Sequence, residues 1–96
     1  MQSSKMSFKN MMVAPHHLAA KTGSDILKEG GNAIEAMIAS GAIISVVYPH
    51  MNSMGGDNFW LISDKNKKVT AIDACGPAAK NISIESYKKQ GFNKIP

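Results

Sequence analysis

The sequence has no arginine, a single cysteine and few aromatic residues, and each of these scarcities excludes a class of protein. One cysteine, Cys75, forms neither an internal disulfide framework nor a multi-cysteine zinc site. The net charge of +4 comes from 11 lysines, spread over several segments, against seven acidic residues. Dispersed lysines, with only 6% aromatic residues to stack on bases, are not typical of a nucleic-acid-binding protein. We therefore expect no nucleic-acid partner and a reducing, cytoplasmic location.

Long hydrophobic runs are also missing. Residues 1–10 are polar and contain no apolar stretch of the kind that a signal peptide needs. The most apolar stretch, 33–48, is shorter than the roughly 20 residues of a membrane-spanning helix and contains Glu35. We therefore expect a chain that is neither secreted nor bound to a membrane, with residues 1–10 as a polar N-terminal segment.

A short strand and an amphipathic helix are predicted near the start of the chain. The apolar run 11–14, which a proline ends, is typical of a brief buried strand. Residues 17–29 have apolar side chains at helical spacing, so one face is apolar while charged side chains cover the other. Leu18, Thr22, Ile26 and Leu27 lie on the first of these faces. Lys21 and Asp25 predict an i,i+4 ion pair on the polar face, and Gly30 predicts the end of the helix.

The second predicted helix, at 33–47, has a strong start signal and no polar face. Asn32 is a favourable N-cap, and Glu35 follows three residues later, at the spacing of a capping box. The helix sequence, AIEAMIASGAIISVV, is apolar or small nearly all the way round. We therefore expect this helix to be buried on every side, with its small residues allowing neighbouring elements to approach closely.

The rest of the chain predicts a β-hairpin and a short last helix. After a glycine-rich turn, 59–62 indicates a strand buried on both faces, and 69–74 indicates the returning strand. Ser83 is placed to cap a helix that runs through Gln90. The predicted fold is α+β, in the order β-α-α-β-β-α. So short a chain cannot cover all of this apolar surface, so we expect either self-association or the start of a larger protein.

These motifs, in this order, resemble the gamma-glutamyltranspeptidase family. The resemblance runs from about Met12 to Ala79 and is carried by five segments: MVAPHHLAA (12–20), LKEGGNA (27–33), YPH (48–50), MGGDNFWLI (54–62) and VTAID (69–73). It implies the αββα sandwich of the N-terminal-nucleophile hydrolases and places this chain at the start of the large subunit. Residues 11–96 are then a partial domain, an N-terminal fragment of the enzyme.

The resemblance also implies an activity and a partner. Family members are precursors that cleave themselves into a large and a small subunit, and the new N-terminal threonine of the small subunit attacks the substrate with its own amine as base. Their substrates are glutathione and other gamma-glutamyl amides, and divergent relatives act on other acyl amides. The remainder of the precursor, or a small subunit, is therefore the expected partner.

Two departures from the family pattern affect the expected function. The family's threonine nucleophile and oxyanion-hole residues lie far downstream, so no catalytic residue is assigned here and the chain alone is expected to be inactive. Family members also place an arginine just after the second hairpin strand, where it binds the substrate carboxylate. Cys75, or Pro77 in an alternative alignment, stands at that position here. Cys75 is therefore the candidate substrate-binding position, and a gamma-glutamyl group cannot be held there in the family's way.

Other chemistries are weaker interpretations of the same residues. Three histidines and one aspartate are the potential metal ligands: His16, His17, His50 and Asp57. Their spacing fits no zinc pattern, so capping and packing are the preferred roles, and no metal or cofactor is expected. Gly55-Gly56 lacks the motif of a phosphate-binding loop and predicts a turn. Cys75 has no cation or helix N-terminus nearby in sequence, which favours an inert thiol at a strand end over a nucleophile.

One alternative from another functional class stays open. A free-standing, non-catalytic module would use the helical pair and the hairpin to associate with itself or with a partner. The uncovered apolar surface of the second helix is the reason to consider it.

Overall fold

The computed structural model describes residues 6–94, which form a helical pair, a β-hairpin and a short last helix. The elements are α1 (His17–Lys28), α2 (Ala33–Val47), β1 (Phe59–Ser63), β2 (Val69–Asp73) and α3 (Ile84–Lys89). The architecture is α+β, as predicted, and the elements follow in the order α-α-β-β-α. No helix among these residues is long and apolar enough to span a bilayer.

The predicted strand at 11–14 does not form, so this prediction was wrong. The sheet within residues 6–94 consists of β1 and β2, and neither pairs with this segment. Without a neighbouring strand, the backbone groups of the segment have no ladder to join. Val13 is 77% exposed, whereas the side chain of Met12 lies close to Gly23 of α1. The apolar run therefore indicated contact with a helix and not membership of a sheet.

The corner between α1 and α2 forms as predicted and is closed by its own residues. Gly30 has a φ of +95°, a conformation that favours glycine, and the Gly31 amide donates to the Ile26 carbonyl at 2.9 Å. Asn32 Oδ1 accepts from the Glu35 amide, and Glu35 Oε2 accepts from the Asn32 amide, both at 2.9 Å. These two hydrogen bonds are the predicted capping box.

The two helices meet through small side chains. Ala19 and Gly23 are the buried residues of α1, and Ala36 and Ser40 are those of α2. The Ser40 hydroxyl donates to the Ala19 carbonyl across the interface at 2.7 Å. A β-carbon on Gly23 would lie 2.5 Å from Ser40 Oγ, so no larger residue fits there without movement. Leu18 of the predicted apolar face is 42% exposed, because the close contact runs through its small neighbours instead.

Much of α2 is exposed, contrary to the prediction that it is buried on every side. Its large apolar residues with more than a third of their surface exposed are Ile34, Met37, Ile38 and Val46. Neither the hairpin nor α3 packs closely along this helix. The largely apolar residues of α2 therefore form a surface that residues 6–94 do not cover.

β1 and β2 form the predicted antiparallel hairpin, with Phe59 opposite Asp73. The Asp64 carboxylate shapes the hairpin turn by accepting hydrogen bonds from the amides of Asn66 at 2.8 Å and Lys68 at 2.9 Å. These contacts are local, so the register follows from the turn and the strand ladder.

The expected burial of both faces of the first strand was wrong. Leu61 is 79% exposed, Trp60 and Ile62 are half-buried, and every residue of β2 is exposed. The cause is visible in the dimensions of the chain, whose radius of gyration is 19.0 Å. A compact chain of this length has a radius of about 12–13 Å. The hairpin therefore extends away from the helical pair instead of packing on it.

The short last helix, α3, forms as predicted. The Ser83 hydroxyl oxygen accepts from the Ser86 amide at 3.1 Å and caps its start. Gln90 is the C-cap, and Gly91 follows with a φ of +84°.

Candidate functional site

An open groove of about 660 Å³ lies between α2 and the loop that leads into β1. Its apolar lining includes Met37, Ile44 and Trp60, and its titratable lining includes His50 and Asp57. Apolar walls with a few polar groups are the usual composition of a small-molecule site. The groove is open to solvent along its length, so the chain provides one side of a site and not a closed cavity.

The segment that leaves β2 is held beside this groove by the hairpin register. Phe59, the first residue of β1, pairs with Asp73, the last residue of β2. One residue further along, the Ala74 amide donates to the carbonyl of Asn58 at 2.9 Å. Because Asn58 lines the groove, the turn at 74–77 begins at the groove's edge.

Two aspartate side chains hold successive amides of this turn. Asp73 Oδ1 accepts from the Cys75 amide at 2.9 Å, and Asp57 Oδ1 accepts from the Gly76 amide at 3.2 Å. The first bond is local, whereas the second joins residues 19 apart in the chain. Cys75 is exposed between these two anchors. Its side chain therefore does not contribute to a core within residues 6–94.

The charges around the turn are negative. Asp57 and Asp73 each bring a carboxylate within hydrogen-bonding distance of the backbone next to Cys75. The ion pairs within residues 6–94 lie on α1 and do not reach the turn. An anion approaching Cys75 would therefore be repelled by two like charges of this chain. Cys75 lies two residues beyond the end of β2, because Ala74, predicted to be in the strand, lies outside it. Its substrate-binding role stays a prediction.

The histidines of the weaker metal hypothesis lie in structural positions. His16 is the N-cap of α1, and its Nδ1 accepts from the Leu18 amide at 3.2 Å. The rings of His16 and His17 stack with centroids 4.6 Å apart, and the ring of His50 packs edge-on against Tyr48 at 4.3 Å. Within residues 6–94, no three potential metal-ligating side chains are grouped around a common point. Capping and packing, the preferred roles, account for His16 and His50.

The glycine pair before β1 forms the predicted turn. The Gly56 amide donates to the Ser53 carbonyl at 3.3 Å, and space around Gly55 is open. This turn directs the chain from the end of α2 towards Asp57 and the start of β1. It contributes to the site by placing Asp57.

One carboxyl with a shifted pKa lies away from the groove. The pKa of Asp25 is below its usual value, chiefly because Lys21 donates a hydrogen bond to its carboxylate and also attracts it electrostatically, with a further attraction from Lys28. Asp25 lies on the exposed side of α1, where the predicted Lys21–Asp25 ion pair forms. Its role is local stabilisation of the helix and not chemistry.

Sequence reasoning did not find the link between Asp57 and Gly76. A signal for it was present, because the predicted pairing of 59–62 with 69–74 already places the residues before the first strand beside those after the second. Continuing that register by two or three residues brings Asp57 next to the turn.

Comparison with known proteins gives the chain a family. The sequence model of the gamma-glutamyltranspeptidase family matches residues 19–96. The chain is 53% identical over 90 residues to the oxamate amidohydrolase proenzyme of Klebsiella pneumoniae. The aligned residues cover 94% of this chain and 17% of that protein. It is 42% identical over 97 residues to the glutathione hydrolase-like YwrD proenzyme of Bacillus subtilis, with 100% of this chain and 18% of that protein covered.

A solved structure agrees with these matches. The chain superimposes on the crystal structure of Helicobacter pylori gamma-glutamyltranspeptidase with a TM-score of 0.83 and 33% identity, over 98% of this chain and 27% of that one. The chain therefore belongs to the gamma-glutamyltranspeptidase family, as its motifs predicted. It spans about a sixth of the length of the curated relatives it matches.

Proposed function

We propose that this chain forms the opening part of a gamma-glutamyltranspeptidase-family precursor that hydrolyses a small acyl amide of the oxamate type. The observation that carries the proposal is the 53% identity with an oxamate amidohydrolase proenzyme over nearly the whole chain. The turn after β2 supports it, because Cys75 there lies beside the carboxylates of Asp57 and Asp73, and the sequence has no arginine.

The substrate class follows from the charges at this turn. In a gamma-glutamyl amide, three carbon atoms separate the α-carboxylate from the amide carbon. This remote carboxylate needs a cationic partner of its own. Asp57 and Asp73 disfavour an anion beside Cys75. Oxamate has one carboxylate, bonded directly to its amide carbon, so it has no remote anion to place at the turn. A short acyl amide is therefore the better fit.

The chemistry is proposed to come from the remainder of the precursor. In the family's mechanism, the threonine freed by self-cleavage attacks the amide carbon with its own amine as base. This chain would form one wall of the groove and the turn at its edge, inside an αββα sandwich. The exposed apolar face of α2 and the radius of gyration of 19.0 Å favour a chain that needs the remainder as cover. Alone, it is expected to turn over neither oxamate nor a gamma-glutamyl amide.

Exchange of the matched region in two relatives tests the proposal. In one chimera this chain replaces the corresponding region of the Klebsiella oxamate amidohydrolase, and in the other that of the Helicobacter gamma-glutamyltranspeptidase. Both chimeras are expected to cleave themselves into two subunits. The first should hydrolyse oxamate, and the second should lose gamma-glutamyl hydrolysis because its carboxylate contact is missing.

Arginine substitutions in the second chimera make the test more specific. Cys75→Arg, or Pro77→Arg under the alternative alignment, should restore part of the gamma-glutamyl activity by returning a bidentate cation to the turn. Cys75→Lys is the matched control, because it returns the charge without the planar geometry. An oxamate chimera that cleaves itself but leaves oxamate intact would contradict the proposed substrate.

The alternative is a non-catalytic module that pairs with a second copy of itself. The exposed apolar residues of α2 favour it, since a dimer would cover them. Analytical ultracentrifugation of the chain separates the two functions. A defined dimer with a single cooperative unfolding transition supports the module, whereas association only with the remainder of a family precursor supports the hydrolase.

A further inference from the structure

We propose that Asp57 is a positioning residue, whose carboxylate fixes the turn at 74–77 against the loop before β1 and so sets where Cys75 stands at the groove's edge. The inference rests on the proposed function in one respect, since it takes this turn to contact the substrate. The anchor itself is a property of this chain.

The geometry makes Asp57 the last link between the two ends of the hairpin. The strand ladder stops at Asp73, and the Ala74 amide makes one more backbone bond, to Asn58 at 2.9 Å. Beyond that point, the bond from the Gly76 amide to Asp57 Oδ1, at 3.2 Å, ties the turn to the other segment. The remaining contact of the turn, from the Cys75 amide to Asp73, is internal to it.

Asp73 and Asp57 therefore have different structural roles. Asp73 bends the turn, because it accepts from an amide two residues ahead in the same segment. Asp57 places the bent turn, because it belongs to the loop that lines the groove and reaches across 19 residues of sequence. An ionised acceptor forms a stronger hydrogen bond to an amide than a neutral one does. Loss of Asp57 would leave the turn folded but free to move relative to the groove.

Nuclear magnetic resonance of the chain labelled with ¹⁵N-glycine tests the anchor. The chain has eight glycines, so the Gly76 amide is readily resolved. We expect Asp57→Ala to move the proton shift of this amide towards that of an unstructured glycine. Exchange of the Gly76 amide with solvent should be about three- to tenfold faster in Asp57→Ala, with a smaller change in Asp57→Asn, which keeps an acceptor oxygen.

A matched control lies at the opposite end of the same hairpin. Asp64 also holds backbone amides with its carboxylate, but it does so in the turn far from the groove. Asp64→Ala should leave the proton shift and the exchange rate of the Gly76 amide unchanged. A Gly76 amide that already has the shift of an unstructured glycine in the wild-type chain, or that exchanges no faster in Asp57→Ala, would overturn the anchor.

The oxamate chimera tests the positioning role. Asp57→Ala should raise KM for oxamate about three- to tenfold with a smaller change in kcat, because the misplaced turn weakens binding more than the loss of one like charge near the anionic substrate strengthens it, while the chemistry is intact. Asp57→Asn should recover most of the loss, and Asp64→Ala should have no effect on KM. If the chimera is active and Asp57→Ala leaves its KM unchanged, the positioning role is overturned, but the anchor and the proposed substrate are not. If Asp57→Ala speeds exchange of the Gly76 amide in the chain but the chimera does not hydrolyse oxamate, the anchor is supported and the proposed substrate is overturned.

Discussion

The helical pair and the hairpin differ in where their stability comes from. The helices bury Ala19, Gly23, Ala36 and Ser40 against one another and share a hydrogen bond across their interface. The hairpin has a regular ladder and a well-formed turn, but none of its strand residues is buried. The comparison teaches that regular hydrogen bonding forms locally in both regions, whereas a core within residues 6–94 forms between the helices. Substitutions in the helical pair should therefore change the stability of this chain more than those in the hairpin do.

The largest expected effect is at the helix contact. Gly23→Ala places a β-carbon 2.5 Å from Ser40 Oγ and 2.8 Å from Met12 Cγ, so either the Ser40 and Met12 side chains or the helices themselves must move. Overpacking costs about 1–3 kcal/mol, which outweighs the gain in helix propensity of about 1 kcal/mol. We expect a lower urea midpoint by far-ultraviolet circular dichroism. The fluorescence of Trp60, which reports the hairpin, should be unchanged.

A second glycine provides the matched control. Gly41 lies in α2, and a β-carbon there meets nothing within 4 Å. Gly41→Ala should therefore stabilise the chain by about 0.5–1 kcal/mol through reduced freedom of the unfolded state. Equal effects of Gly23→Ala and Gly41→Ala would show that the helices are not in close contact.

Removal of the hydroxyl at the same contact should have a smaller effect. Ser40→Ala deletes the bond to the Ala19 carbonyl and should lower the free energy of unfolding by about 1 kcal/mol. Ser45→Ala in the same helix deletes a bond of equal length, 2.7 Å, to the Ala42 carbonyl within its own helix, and should change little. Because Ser40→Ala also makes room, it should reduce the cost of Gly23→Ala, and a double-mutant cycle measures that coupling.

The helix caps extend the comparison to α3. Asn32→Ala removes the capping box of α2 and should destabilise the helical pair by about 1 kcal/mol. Ser83→Ala removes the same kind of box from α3, which has no buried residue. The cooperative transition should not move in that variant, because α3 has no tertiary packing to lose. A common shift in both variants would mean that α3 folds together with the helical pair.

Most elements could be predicted because their signals are local. The glycine corner, the Asn32–Glu35 box, the hairpin and the Ser83 cap each depend on residues a few positions apart, and all four were confirmed. Small residues were also correctly expected to allow close approach, although Leu18 rather than Ala19 was assigned to the buried face. The smaller side chains occupy the interface because the short distance between the helices leaves no room for larger ones.

Burial and the site could be predicted only in part, because both depend on what surrounds a segment. The apolar sequences of α2 and β1 predicted burial that residues 6–94 do not provide. A shortage of cover was expected for so short a chain, but which faces stay exposed depends on the packing and not on the local sequence. The position of Cys75 just beyond β2 followed from the family motif. The anchor at Asp57 was missed because a hydrogen bond across 19 residues depends on continuing the strand register and not on any motif.

The smallest expected effect is a pH dependence within α1. The hydrogen bond from Lys21 lowers the pKa of Asp25 below its unfolded value near 3.8. The folded state thus binds a proton less readily than the unfolded state, so this pair adds stability above that pH and loses it as the pH falls through the folded pKa. The difference in urea midpoint between the wild type and Asp25→Asn should be small at pH 7 and should vanish in strong acid. It should also shrink with added salt, since both side chains are exposed. Lys21→Gln removes the hydrogen-bond donor and should abolish most of this pH dependence. If the difference in urea midpoint between the wild type and Asp25→Asn persists unchanged in strong acid, the effect comes from helix propensity and not from charge.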